Sequence, residues 1–178
     1  MAVSEERGRS GAQGESDLPR YPHGWATPPF GAGLRADDGG QGSGNGLGLT
    51  DVRASHEDGY DRVVLELGGS GTPGWRVEYV DRPVYEGSGE PVALQGTTFL
   101  SVVLRGVGQP SDTGIAAYGD DTTRVPGVGG IAEVAPGGVF EGEQGAFIGL
   151  TGARRAFRVF TLTDPTRVVV DVRDLNPG

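Results

Sequence analysis

Residues 161–172 read TLTDPTRVVVDV, and far upstream residues 59–67 read GYDRVVLEL. Each holds an Arg followed by an apolar run with one carboxylate inside it: Arg62-Val-Val-Leu-Glu-Leu and Arg167-Val-Val-Val-Asp-Val. These runs are rich in β-branched residues, which fit a pleated, half-buried surface. Side chains alternate across a strand. Val63, Leu65 and Leu67 therefore share one face and leave Val64 and Glu66 on the other. Val168, Val170 and Val172 likewise oppose Val169 and Asp171. One dry and one wet face per strand is the pattern of antiparallel sheets packed face to face. Asp164-Pro165-Thr166 supplies turn chemistry just before the second copy. Pro fixes φ there and Asp bonds its own backbone, so residues 158–162 and 167–172 are expected to form a tight hairpin. One reading of the repetition is that two sheets each take one copy. The apolar positions would fill a shared core, and the Arg and the acid would face solvent or a sheet edge. The alternative is that two strands drew independently on the same β-forming residues.

Working outward, short β-like runs recur between Gly, Pro and Asp turns. Strands are expected at residues 49–55, 60–67, 75–80, 98–105, 130–135, 146–150, 157–163 and 167–172. In the third, Trp75, Val77 and Tyr79 alternate with Arg76, Glu78 and Val80. This reads as a buried face with Trp75 in the core; Tyr85 and Tyr118 stay open between core and surface. No window carries a helical stripe, because Gly interrupts nearly all of them at about 1 kcal/mol each against Ala. ARRAF (residues 153–157) is too short for an independent helix. The fold class is all-β, a sandwich of two mostly antiparallel sheets. Residues 107–129 form a long loop of the kind that is often functional.

The chain has 178 residues, of which 34 are Gly and 12 Pro. Residues 1–48 mix charge, Gly, Ser and Pro without apolar clusters, and read as a disordered arm. Residues 49–178 read as one domain of roughly 130 residues. Trp25 and Phe30, among the arm's prolines, either dock on the domain or a partner or stay exposed. The net charge is −9, and all 15 basic residues are Arg. That balance argues against nucleic acid as a partner and against anionic lipid surfaces. The absence of Cys excludes disulfides, thiolate metal sites and Cys nucleophiles. No run of 18 apolar residues is present, so no membrane insertion is expected. The opening MAVSEERGRSGAQGESDLPR lacks the apolar stretch of an export signal.

Four blocks in order carry a resemblance: HEDGYDRVVLEL (56–67), GWRVEYVDRPVYEGSGEPVALQGTTFLSVVL (74–104), FEGEQGAFIGL (140–150) and FRVFTLTDPTRVVVDV (157–172). Together they resemble the AMIN-like domain of secreted proteins and lipoproteins of actinobacteria, over about two thirds of the chain. The DPTRVVVDV ending is similar to the closing strand of the wider AMIN family. That resemblance implies a β-sandwich. It also implies a non-catalytic targeting module of the cell envelope or extracellular space that associates with peptidoglycan or an envelope protein. It brings no cofactor and no catalytic residue to this chain. Members usually carry an export signal, often with a lipoprotein Cys, and this chain shows neither.

Read from the residues alone, chemistry is sparse. His56-Glu57-Asp58 with Asp61 is the densest polar cluster, but one His with adjacent carboxylates pointing alternately reads as a hydrated turn, not a metal site. Asp112, Asp120 and Asp121 lack a Ca²⁺-loop frame and read as a solvated loop. Glu66, Glu78, Asp81, Glu133, Glu141 and Asp171 are strand-exterior acids whose separations a sequence does not give. GGSGTPG (68–74) is neither a nucleophile elbow nor a P-loop. For binding, the candidates are Arg76, Arg82, Arg154 and Arg155, which can meet carboxylates in bidentate pairs, with Tyr85 and Tyr118 as stacking surfaces. The function expected is an envelope-binding module. The other readings are a small-molecule binder with a cavity between its sheets, and an enzyme using His56 with Asp58 or Asp61.

Overall fold

The computed structural model describes residues 28–30, 34–120 and 122–174. Among them lie eleven strands and one four-residue helix: β1 (Asp37–Asp38), β2 (Gly42–Ser43), β3 (Leu47–Glu57), β4 (Tyr60–Gly69), β5 (Thr72–Val80), β6 (Thr98–Arg105), α1 (Pro110–Thr113), β7 (Val125–Pro126), β8 (Ile131–Phe140), β9 (Glu143–Leu150), β10 (Phe157–Leu162) and β11 (Thr166–Arg173). A seven-stranded sheet runs β1-β5-β6-β9-β8-β7, with β2 also on β5. A four-stranded sheet runs β10-β11-β4-β3. Every strand pairing in both sheets is antiparallel.

The sandwich forms because the alternation holds strand after strand. Val63, Leu65 and Leu67 of β4 and Val168, Val170 and Val172 of β11 meet Leu100, Val102 and Leu104 of β6 and Ala146, Ile148 and Leu150 of β9 in one buried cluster. In β3 the register shifts between Leu49 and Asp51. That bulge moves the inward set from Leu47 and Leu49 to Val52 and Ala54, so both halves of the strand still face the core. The expected hairpin is present: Leu162 pairs with Arg167 across the turn at Asp164-Pro165. Trp75 is half-buried against the core, and its Nε1–H donates to Asp37 Oδ1 at 3.0 Å.

The two copies of the repeated stretch do not sit one per sheet. Both lie in the four-stranded sheet as adjacent strands, with Arg62 opposite Asp171, Val64 opposite Val169 and Glu66 opposite Arg167. An antiparallel pairing of two Arg-to-acid strands brings each Arg to the other strand's acid, so like charges never meet. Nor do the charges all face solvent. Asp171 is fully buried and accepts from Arg62 Nε at 2.7 Å, Arg62 Nη2 at 3.0 Å and Arg158 Nε at 2.8 Å. At the other end Glu66 is partly exposed and pairs with Arg53 at 3.1 Å.

The fold also begins ahead of residue 49. β1 and β2 pair with β5, and Leu47 is fully buried. Short strands of Asp-Asp and Gly-Ser carry no apolar alternation, so nothing in their composition marks them as sheet edge. Phe30 packs on the domain, with its ring 6.1 Å from that of Tyr60. Trp25 and residues 1–27 lie outside the described residues. No described helix is long and apolar enough to cross a membrane.

Candidate functional site

The outward rows of the seven-stranded sheet form the floor of a groove of about 620 Å³. On β5 the row is Arg76, Glu78 and Val80; on β6 it is Ser101, Val103 and Arg105; on β9 it is Glu143, Gly145 and Phe147. These residues face out because Val77, Leu100, Val102, Leu104, Ala146 and Ile148, one position away, face in. One wall is a turn of chain at residues 83–92. Its backbone closes on itself, with Tyr85 N–H donating to Glu90 O at 2.9 Å and Val92 N–H to Pro83 O at 3.0 Å. Val92 packs with Ala135 and Phe147 in a second small apolar cluster, with Tyr85 and Leu94 against it. Residues 93–97 then cross the strand end. A Cβ at Gly149 would run into the Gln95 carbonyl, so this crossing depends on glycine there.

Three Arg and three Glu line the groove: Arg76, Arg82 and Arg105 with Glu78, Glu86 and Glu143. Arg76 forms a two-point pair with Glu78 at 3.0 and 2.9 Å. Arg105 donates to Glu143 at 3.3 Å and to Asp38 at 3.1 Å. Among the described residues Arg82 has no ion-pair partner. Val84 and Phe140 stand exposed at the rim. Above Gly145 the floor is open, with no atom within 4 Å of where a side chain would begin. The net charge of the chain is strongly negative, yet this groove is balanced.

Of the residues singled out from sequence, the groove brings together Arg76, Arg82 and Tyr85. The other three lie elsewhere. Tyr118 is half-buried against the core, and its carbonyl accepts from Gln144 Nε2 at 3.0 Å. Arg154 pairs with Asp81 at 2.6 Å and lies 5.3 Å from the Tyr79 ring centre. Arg155 is buried; it donates to Asp61, Arg173 O and Gly130 O, and its Nε has no partner among the described residues. Sequence reading missed Val103, Arg105, Glu143, Gly145 and Phe147. Their outward direction was legible from alternation, but that β6 and β9 are neighbours was not.

The sequence model of the AMIN-like domain matches residues 47–174, from the first residue of β3 to just past β11. The chain belongs to the AMIN-like domain family. Neither a curated protein nor a solved structure matches it.

Two polar clusters of this AMIN-like domain are absorbed by its architecture. His56, Asp61 and Asp174 are close enough to suggest a metal centre. Yet Asp61 is fully buried and its oxygens are already engaged. Oδ1 meets His56 Nδ1 at 2.7 Å, and Oδ2 accepts from Gly130 N–H at 2.9 Å and Arg155 Nη1 at 3.3 Å. A cation there would sit beside the Arg155 guanidinium, so the set reads as a clamp between the β3–β4 hairpin and residues 130 and 155. In the long loop, Asp120 Oδ1 accepts from the backbone and hydroxyls of Thr122 and Thr123. These bonds favour the charged carboxylate and lower its pKa to about 2. The Asp120 carboxylate thus closes a turn. Among the described residues the space between the sheets holds the buried core cluster; the depression at Arg76–Phe147 lies on the outer face.

The hydrogen bond that protonated His56 donates to the Asp61 carboxylate raises the pKa of His56 above its ordinary value. Protonated His56 therefore adds stability that is fully present below about pH 6.5 and is lost as pH rises through the folded-state value. In an NMR titration His56, identified by its loss in His56→Gln, will titrate above 6.5. The thermal midpoint of His56→Gln will lack the part of the pH slope that lies in that window. A midpoint at or below 6.5 would contradict the clamp.

Proposed function

We propose that this AMIN-like domain is a non-catalytic binding module of the cell envelope or extracellular space, and that it contacts peptidoglycan through the groove on the seven-stranded sheet. The observation that carries the reading is the groove's chemistry. Guanidinium and carboxylate groups alternate along a floor with an apolar centre at Val103 and Gly145, and aromatic surface lies at Tyr85 and Phe140. Peptidoglycan stem peptides present carboxylates and amines in short succession, and the glycan offers ring faces for stacking. Arg82 stands ready for a carboxylate, and Glu78 and Glu143 can exchange an internal Arg for an external amine. Exposed pairs of this kind exchange at little cost. Family membership supports a targeting role in preference to a catalytic one.

The test uses purified, insoluble peptidoglycan. The wild-type chain will co-sediment at low and moderate salt. Gly145→Leu places a side chain in the open floor at a position whose φ suits an L-residue. It will lower retention about tenfold, the scale of one lost contact worth about 1.4 kcal/mol, with an unchanged melting curve. No retention of the wild type would count against peptidoglycan and turn attention to an envelope protein at the same groove. Equal retention of Gly145→Leu would move the site off this face.

A further inference from the structure

The outer face of the four-stranded sheet, away from the groove, carries a cluster of Arg and aromatic side chains. On the outer face of the four-stranded sheet, Arg158 of β10 is buried and salt-bridged to Asp171. Its guanidinium lies 4.3 Å from the centre of the Phe30 ring and 5.1 Å from that of Tyr60. Arg173 approaches the same Phe30 ring at 5.0 Å, and Arg62 lies 5.2 Å from Tyr60 and 5.6 Å from Phe160. Three guanidinium groups and two resident rings therefore make a stacked platform, and Phe30 completes it. A main-chain contact adds direction: Arg158 Nη1 donates to Pro28 O at 3.2 Å. Pro28 and Phe30 are half-buried and Pro29 is exposed. Alternate residues thus point at the sheet.

We infer that this face is a binding site for an extended Pro-Pro-aromatic segment, and that the chain's own Pro28-Pro29-Phe30 fills it in cis. Consecutive prolines hold the polyproline conformation in advance and offer carbonyls with no competing N–H. Such segments are taken up by surfaces that provide aromatic walls and a donor for a carbonyl. Here Tyr60 is the aromatic wall and Arg158 is the donor, held in place by Asp171. An aromatic ring between Arg158 and Arg173 adds a cation–π contact at a partly desolvated site. Only residues 31–36 separate Phe30 from β1, so the tether is short. A short tether gives an effective concentration near the millimolar range, against which a free peptide competes poorly.

The experiment adds the blocked peptide TPPFG to the ¹⁵N-labelled full chain and follows amide shifts along β10 and β11. Phe30→Ala vacates the site, and Phe30→Leu keeps the bulk while removing the ring. The peptide will bind Phe30→Ala at least tenfold more tightly than wild type, with shifts at residues 158–160 and 169–171. Phe30→Leu will fall between them. TPPAG will bind none of the three. The inference is overturned if neither folded variant takes up TPPFG, if wild type and Phe30→Ala bind it equally, or if TPPAG binds as well as TPPFG.

Discussion

Asp171→Ala will lower the free energy of unfolding by about 3–5 kcal/mol, the range for removing one partner from a buried ion pair. Asp171 is fully buried on the outer face of β11, and three of its hydrogen bonds come from Arg62 and Arg158. Taking away the carboxylate leaves two positive groups packed together without the anion that holds them. Single domains hold only about 5–15 kcal/mol in total, so the thermal midpoint will fall by roughly 10 °C or more. The control is built into the chain. Glu66 occupies the equivalent place in the other copy of the repeated strand, opposite Arg167, but it pairs with Arg53 at a partly exposed site. Glu66→Ala will cost no more than about 1 kcal/mol, as exposed pairs do. Urea unfolding of the two variants, compared at equal m-value, checks both. Equal losses would show that burial is not what sets the difference.

Asp61→Ala will be comparably damaging, again by about 3–5 kcal/mol, for a different reason. Asp61 accepts from Gly130 N–H and Arg155 Nη1, and it meets His56 Nδ1. Arg155 is itself buried, with carbonyl oxygens of Gly130 and Arg173 as its other partners. Without Asp61, its charge would rest on neutral acceptors alone. The partly buried Gly130 N–H would also lose its acceptor, which costs up to about 1–3 kcal/mol where no water replaces it. The double variant Asp61→Ala/Arg155→Met separates the two effects. It will recover a measurable part of the loss, since an apolar replacement of a buried pair is often tolerated. If the double variant is no more stable than Asp61→Ala, the penalty arises from the Gly130 contact and not from Arg155.

The strands themselves were legible because each obeys the two-residue alternation. Val63-Leu65-Leu67 and Val168-Val170-Val172 face the core as their spacing requires. The bulge at Leu49–Asp51 is visible in retrospect, as apolar spacing changes from two to three between Leu49 and Val52. What alternation does not encode is which strand lies beside which. Placing the repeated stretches in separate sheets followed from their likeness, yet it is their charge order that makes them suitable antiparallel neighbours. The groove depended on the same missing information. Arg76, Arg82 and Tyr85 were picked out by residue type, while Arg105, Glu143 and Phe147 join them only through the β5-β6-β9 order. Arg155 shows the converse: surface and buried Arg look alike in sequence, and its partners Asp61 and Gly130 are far away along the chain. β1 and β2 have two residues each, too few for any period.

The pairing of β4 with β11 has a consequence for how the chain finds its alignment. A slide of two residues between these strands would keep every valine on its proper side, so hydrophobicity alone treats the slipped and native arrangements as near equals. The slide would place Asp171 opposite Val64 or Tyr60 instead of Arg62, leaving the buried carboxylate with Arg158 as its one cation. The Arg62–Asp171 pair thus acts as a vernier mark on a largely repetitive ladder, rejecting misalignments that the oily positions would tolerate.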